Sequence, residues 1–194
     1  MAKNISKVIL KHSSLSSDEE NMRCFSKDGN EEAFEKIYNK YFPLLSKYLN
    51  WLIGDFEMAR DCCQNILVKL YQNPNLFDNQ RNFKVWIFSI ANNQWKNHLR
   101  NQSTREREKE ELKYQLKVVD EEFESNENQI RLAQISEGLK GLSEKHKEVF
   151  LLKYSNNLSL EEISHVCQCS IGTVKSRLFY AMKYLKEFIA KEKV

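Results

Sequence analysis

The residues with the most evident chemistry in this sequence form one run, Ser170-Ile171-Gly172-Thr173-Val174-Lys175-Ser176-Arg177. Short hydroxyl side chains beside long cations, near the start of a helix, are the types that reach base edges and grip phosphate. Thr173, Lys175, Ser176 and Arg177 are therefore expected to face DNA, with Ser170 among them as the cap that opens the helix. Arg177 is the candidate for a bidentate guanine contact or a phosphate clamp, and the sequence leaves that choice open. The competing reading is a bare helical hairpin packed into a core, where Lys175 and Arg177 would each need a buried partner.

A second cationic run is Arg81, Lys84, Lys96, Arg100 and Arg105, with no acid between Arg81 and Arg105. Between the two basic runs lies an acidic stretch, Asp120, Glu121, Glu122, Glu124 and Glu127. The net charge is only +3, so placement rather than total charge carries the nucleic-acid signal. Enzymatic chemistry has little support: no Gly-rich phosphate loop or nucleophile–base set is recognisable, and the four histidines are scattered. Cys167 and Cys169 near His165 invite a metal reading, but their spacing is poor for zinc, and no metal or cofactor is expected. Five cysteines, an odd number, fit a reducing cytoplasm better than a disulfide framework. No signal peptide is visible in Met1–Ser17 and no apolar run reaches membrane-span length, so membrane insertion is not expected.

The elements that must position these residues are helices. Glycine and proline are scarce, at 5 and 2 in 194 residues. Phe34, Ile37, Tyr38, Tyr41, Leu44, Leu45, Tyr48, Leu49 and Leu52 recur at steps of three and four. Asn30 can cap that helix, and Pro43 is expected to kink or divide it. A second helix carries Ala59, Cys63, Ile66, Leu67 and Leu70 on one face and stops at Asn73-Pro74-Asn75. A third starts near Asn82 with a buried stripe of Phe83, Trp86, Ile87, Ile90 and Ala91, then turns polar and basic. Phe83 and Trp86 read as core; Trp95 borders the polar half. Residues 102–130 read as a charged linker, with Leu112, Leu116, Val119 and Phe123 still at helical spacing. Ser143 can cap a helix running through Tyr154. Ser159-Leu160-Glu161-Glu162 is a capping box, and a short turn at Cys167–Cys169 leads to the helix of Ser170–Arg177: a helix-turn-helix.

These residues carry a family resemblance. Leu142-Ser143, Glu148-Val149-Phe150, Glu162-Ile163 and Gly172-Thr173-Val174-Lys175-Ser176-Arg177-Leu178, with Ala181 and Leu185, resemble the C-terminal domain of sigma-70 family factors, which binds the −35 promoter element. Gln168 departs from it, standing in the turn where relatives often have Gly, and implies a strained or differently shaped turn. The N-terminal half matches independently. Ala33-Phe34, Tyr38 and Tyr41 resemble the first helix of the family's domain 2. Ala59, Asp61, Gln64 and Leu70 resemble its polymerase-docking helix, and Phe83, Trp86, Ile90-Ala91 and Asn93 its −10-facing helix. Family members usually have an acid where Asn65 stands and another near Arg60.

The resemblance implies an all-α fold of two small helical domains joined by a charged linker. The expected boundaries are a tail at 1–22, domain 2 at 23–101, a linker at 102–130 and domain 4 with its helix-turn-helix at 131–194. It implies the extracytoplasmic-function class, since nothing resembles the middle region of larger factors. Core RNA polymerase would be bound by Asp61, Gln64, Asn65 and Leu67 on the clamp helices of its largest subunit, with the flap region also in contact. The opened −10 strand would meet the loop residues Phe77, Asn79, Gln80 and Arg81, since stacking and edge hydrogen bonds offset the cost of unstacking a base. Asn93, Lys96, Asn97 and Arg100 follow on the next helix. The acidic stretch would thread a basic polymerase channel. An anti-sigma factor is implied as a further partner, and polymerase supplies all catalysis. Two rivals stand beside this reading: a helix-turn-helix regulator that binds operators as a dimer, and a sigma-like scaffold that has lost DNA binding.

Overall fold

The structure, a computed structural model, describes residues 17–105 and 126–191, with side chains described for 17–100 and 133–191. Every regular element among them is helical. The N-terminal lobe comprises α1 (Ser17–Asp28), α2 (Glu31–Ile53), α3 (Phe56–Gln72), a 3-10 turn at Pro74–Leu76 and α4 (Phe83–Arg105). The C-terminal lobe comprises α5 (Asn126–Lys140), α6 (Glu144–Phe150), a π-type turn at Leu151–Ser155, α7 (Leu160–Cys167) and α8 (Ile171–Lys191).

Local chemistry sets the helix ends. Asn30 Oδ1 accepts from the Ala33 amide at 3.1 Å, and Asp55 Oδ1 from that of Met58 at 3.0 Å. Gly54 ends α2 in the left-handed region at φ 77°, where its N–H reaches the Asn50 carbonyl. The chain thereby reverses and lays α3 against α2.

Pro43, expected to kink or divide α2, does not divide it: the helix runs unbroken through it. A proline inside a helix costs about 3 kcal/mol. Ile37, Tyr41, Leu45, Tyr48 and Leu49 are all at most 1% exposed, and each such side chain contributes roughly 1.5–3 kcal/mol when buried. Burial on both sides of the proline outweighs the lost bond.

From Ser17 onward the segment expected as a tail at 1–22 is helical. Helix α1 begins at Ser17 and buries Asp18, Glu19 and Met22. Asp18 accepts from Tyr41 Oη at 2.7 Å and pairs with Lys40 Nζ at 2.6 Å. Glu19 Oε1 accepts from the Phe83 amide at 2.6 Å and so caps α4 from a distant helix. Polar composition at 17–20 hid this, because those acids are buried as partners rather than as solvated charge. Residues 1–16 lie outside the described residues, as do 106–125, which include Leu112, Leu116, Val119, Phe123 and most of the acidic stretch.

In the C-terminal lobe, Ser143 precedes α6 as expected, but its hydroxyl bonds to His146 Nδ1 at 2.9 Å rather than to a backbone amide. The helix loosens after Phe150 into i→i+5 bonding, with the Asn156 amide on the Leu151 carbonyl at 3.1 Å. Helices α5, α6 and α7 all pack on α8. The lobes also meet, chiefly through α4 and α7, and their buried apolar side chains form one continuous cluster.

Candidate nucleic-acid interface

The helix-turn-helix forms as the sequence pattern requires. Glu162 Oε2 accepts from the Ser159 amide at 2.7 Å, and Ser159 Oγ from the Glu162 amide at 3.1 Å, which completes the capping box of α7. Val166, Val174, Leu178 and Ala181 fill the angle between α7 and α8. Gln168 turns the chain in the left-handed region at φ 56° and ψ 48°, the strained geometry expected where relatives carry Gly.

At the start of α8, Ser170 Oγ accepts from the Thr173 amide at 3.1 Å and lies 2.9 Å from Thr173 Oγ1. Ser176 Oγ donates to the Thr173 carbonyl at 3.0 Å. Ser170, Lys175 and Ser176 are exposed and Thr173 is half-buried, so the N-terminal turns of α8 present hydroxyls and one cation to solvent. Arg177 differs. Its side chain is 20% exposed and turns inward, with Nη1 3.8 Å from Cys169 Sγ and 4.0 Å from Glu148 Oε2. Arg177, expected as a bidentate guanine contact or a phosphate clamp, is thus engaged within its own lobe rather than turned out to solvent. At that register α8 faces α6, and a buried carboxylate waits there.

The loop before α4 divides similarly. Phe77 is 3% exposed and packs edge-on against Phe83 at 4.9 Å and tilted against Trp86 at 5.2 Å. It is core, not a stacking platform, because the 3-10 turn at Pro74–Leu76 swings it under α4. Gln80 and Arg81 are exposed, and Arg81 lies 3.7 Å from Asp78. Asn79 Oδ1 is buried without a hydrogen-bond partner among the described residues. On α4, Asn93, Asn97 and Arg100 are exposed, with Asn97 bonded to the Arg100 guanidinium. Lys96 is engaged: its Nζ lies 3.2 Å from Glu148 Oε1 and 3.5 Å from the Cys167 carbonyl. Trp95 is 2% exposed and belongs to the core.

On α3, Asp61, Gln64 and Asn65 are exposed and share a face at steps of three and four, whereas Leu67 is 1% exposed and packs inward. Leu67 is therefore a core residue rather than a contact residue. Sequence reasoning missed the apolar part of this surface. Met58, Val68, Tyr71 and Leu76 are exposed at 38%, 48%, 45% and 57%. Val68 follows Asp61, Gln64 and Asn65 at the same helical spacing, a signal present in the sequence. The pairing of Glu148, which stood in the sequence only as part of the family pattern, was missed as well, since its partners lie 52 positions upstream and 29 downstream.

No group of His, Cys, Asp or Glu among the described residues has the arrangement to hold a metal ion. Burial pushes the Cys63 thiol up to about 11 and the Cys167 thiol further still, the latter reinforced by Glu148. No described helix is long and apolar enough to cross a membrane.

Residues 37–105 match the family profile described as Sigma-70 region 2, and residues 132–185 match that described as Sigma-70, region 4. Among curated proteins, the chain is 25% identical to the ECF RNA polymerase sigma factor SigW of Bacillus subtilis, over 83% of this chain and 91% of that one. It is 24% identical to the ECF RNA polymerase sigma factor RpoE of Cereibacter sphaeroides, over 87% and 93%. Among solved structures, the sigma factor RpoE of Bartonella quintana, in complex with the anti-sigma factor NepR, aligns with a TM-score of 0.71 at 23% identity, covering 81% of this chain and 96% of that one. CnrH, in complex with the cytosolic domain of CnrY, aligns at 0.67 and 19%, covering 91% and 99%.

Proposed function

This chain belongs to the sigma-70 family of RNA polymerase sigma factors, in the extracytoplasmic-function class, and from that membership we propose how its surfaces divide the work of promoter-specific initiation. The carrying observation is that the family's two regions match in order onto the two helical lobes, each with an exposed polar face where its region would work.

The α3 face docks core polymerase. Asp61, Gln64 and Asn65 supply hydrogen bonds, and Met58, Val68 and Leu76 supply the apolar contact that a stable protein interface needs at its centre. The N-terminal turns of α8 enter the −35 major groove with Ser170, Thr173, Lys175 and Ser176. Arg177 supports that helix from behind through Glu148. The opened −10 strand lies along Asn79, Gln80 and Arg81 and the exposed side of α4, Asn93, Asn97 and Arg100. Lys96 joins this set once released from Glu148. The chain itself catalyses nothing, and polymerase performs the chemistry in the cytoplasm. By analogy with the relatives solved as anti-sigma complexes, an anti-sigma factor is the natural regulator.

Run-off transcription with core polymerase on a promoter mapped after overexpression tests this reading. Product from the cognate template is expected. Tight polymerase binding with no product would favour the scaffold instead. Asp61→Lys should weaken polymerase capture while leaving the helical signal intact; unchanged capture would remove α3 from the docking role.

A further inference from the structure

The loop before α4 is tied down from a helix to which the promoter-binding roles assign nothing. Phe77 anchors the start of that loop in the core. Asp78 then makes a tight turn: its carbonyl accepts from the Arg81 amide at 2.9 Å and its Oδ1 from the Gln80 amide at 3.0 Å. Asn82 Oδ1 accepts from the Val85 amide at 3.0 Å, so α4 has a cap of its own. Even so, Glu19 reaches in from α1 and takes the Phe83 amide at 2.6 Å, across 64 positions. The ring of the same Phe83 stands edge-on to Tyr41 at 5.0 Å, and the Tyr41 hydroxyl donates to Asp18 at 2.7 Å. Two adjacent acids of α1 thus hold Phe83, one by its backbone and the other through the Tyr41 ring. Glu19 is 5% exposed, and a carboxylate buried behind a surface that is to meet anionic DNA is costly without a specific partner.

We propose that Glu19 is a positioning residue for capture of the opened −10 strand. It touches no nucleic acid. It fixes the peptide between Asn82 and Phe83 and, through it, the directions in which Gln80 and Arg81 point. The inference rests on the reading of that loop as a −10 contact. Among the described residues, the Glu19 bond is the one hydrogen bond that ties residues 78–83 to another part of the chain; the rest stay within the loop and α4. An unstacked base is held only where its new contacts outweigh the stacking it loses. Loop side chains fixed beforehand lose little further freedom on binding, so their contacts count nearly in full. A loop released at Phe83 would have to be ordered at each encounter, and it could shift to accept a base with a different edge. Glu19 therefore sets discrimination among −10 bases, and leaves polymerase docking on α3 and −35 binding on α8 alone.

Holoenzyme binding to fork-junction templates of the mapped promoter tests this, with the −10 non-template strand single-stranded and its bases substituted one at a time. Glu19→Ala should lower the ratio of cognate to substituted affinity by roughly threefold to tenfold, with polymerase capture and −35 duplex affinity within about twofold of wild type. Glu19→Gln keeps a carbonyl acceptor and should restore most of the discrimination. In a chain already carrying Gln80→Ala and Arg81→Ala, Glu19→Ala should cost little more, because the side chains it positions are gone. In the wild-type chain, the Phe83 amide should exchange with solvent about tenfold more slowly than the neighbouring Lys84 amide, a measurement that needs no variant. Wild-type discrimination in Glu19→Ala, an equal loss in Glu19→Gln, additive losses in the combined chain, or equal exchange at Phe83 and Lys84 overturns the proposal. So does a parallel loss of polymerase capture in Glu19→Ala, which would mark plain destabilisation. Should Gln80→Ala with Arg81→Ala leave discrimination intact, the −10 reading of the loop falls and the positioning role falls with it; normal loss there with none in Glu19→Ala removes the positioning role alone.

Discussion

Replacing Arg177 by alanine should cost stability, whereas replacing Lys175 should cost DNA affinity, although both belong to one short cationic run. The difference follows from what each side chain touches. Arg177 is 20% exposed and faces Glu148, which is 2% exposed, at 4.0 Å. Removing one partner of a buried ion pair typically costs 3–5 kcal/mol, because a buried charge is left behind. Here Lys96 remains 3.2 Å from the other oxygen, and 4.0 Å is a loose contact, so a loss of about 2 kcal/mol is the appropriate scale. For a chain of this size that corresponds to a fall in Tm of roughly 4–8 °C. Lys175 is exposed and has no ion pair among the described residues. Its replacement should change stability by less than about 0.5 kcal/mol. It should instead flatten the dependence of log affinity on log salt by about 0.9, the contribution of one phosphate contact. The assays are urea unfolding of each variant and a salt titration of holoenzyme on promoter duplex. An Arg177→Ala chain with an unchanged unfolding midpoint and a flattened salt slope would refute the inward assignment. A Lys175→Ala chain with the wild-type slope would refute the outward one.

Three further outcomes are expected. Phe77→Ala should destabilise the chain by about 3–5 kcal/mol in chemical denaturation, because the ring is core; a DNA-binding defect with unaltered stability would contradict that. Gln168→Gly should raise stability by about 1 kcal/mol, since a residue at φ 56° carries left-handed strain that Gly does not; a lower Tm would argue against strain in the turn. Alkaline pH should destabilise the fold. Cys63 stays protonated to about 11 in the folded chain, while its ordinary value is 9.0, and burial pushes Tyr41 and Tyr48 upward as well. Their contribution is therefore intact below about pH 9 and lost progressively above it. Denaturation midpoints at pH 8, 9.5 and 10.5 should fall in that order, and native alkylation at pH 8.5 should spare Cys63 and Cys167 while modifying Cys24 and Cys169; a rising midpoint or rapid Cys63 labelling would count against the buried thiols.

Local pattern alone determined a good deal about this protein. Helical spacing located α2, α3 and the buried half of α4, and side chains within three residues of their targets supplied the Asn30 cap and the Ser159–Glu162 box. The turn at Gln168 was legible for the same reason, since backbone sterics are local. Tertiary packing decided which side of each helix a given polar or aromatic group would meet. Phe77 and Leu67 went inward because α4 and α2 cover them, and Pro43 stayed inside a helix because burial on both sides outweighed a missing bond. Asp18 and Glu19 became buried partners of Tyr41 and Phe83, and Glu148 drew Lys96 and Arg177 from opposite lobes. Periodicity reports the direction a side chain takes from its own axis. The identity of the group that meets it depends on residues tens of positions away, and only the closed chain brings those together.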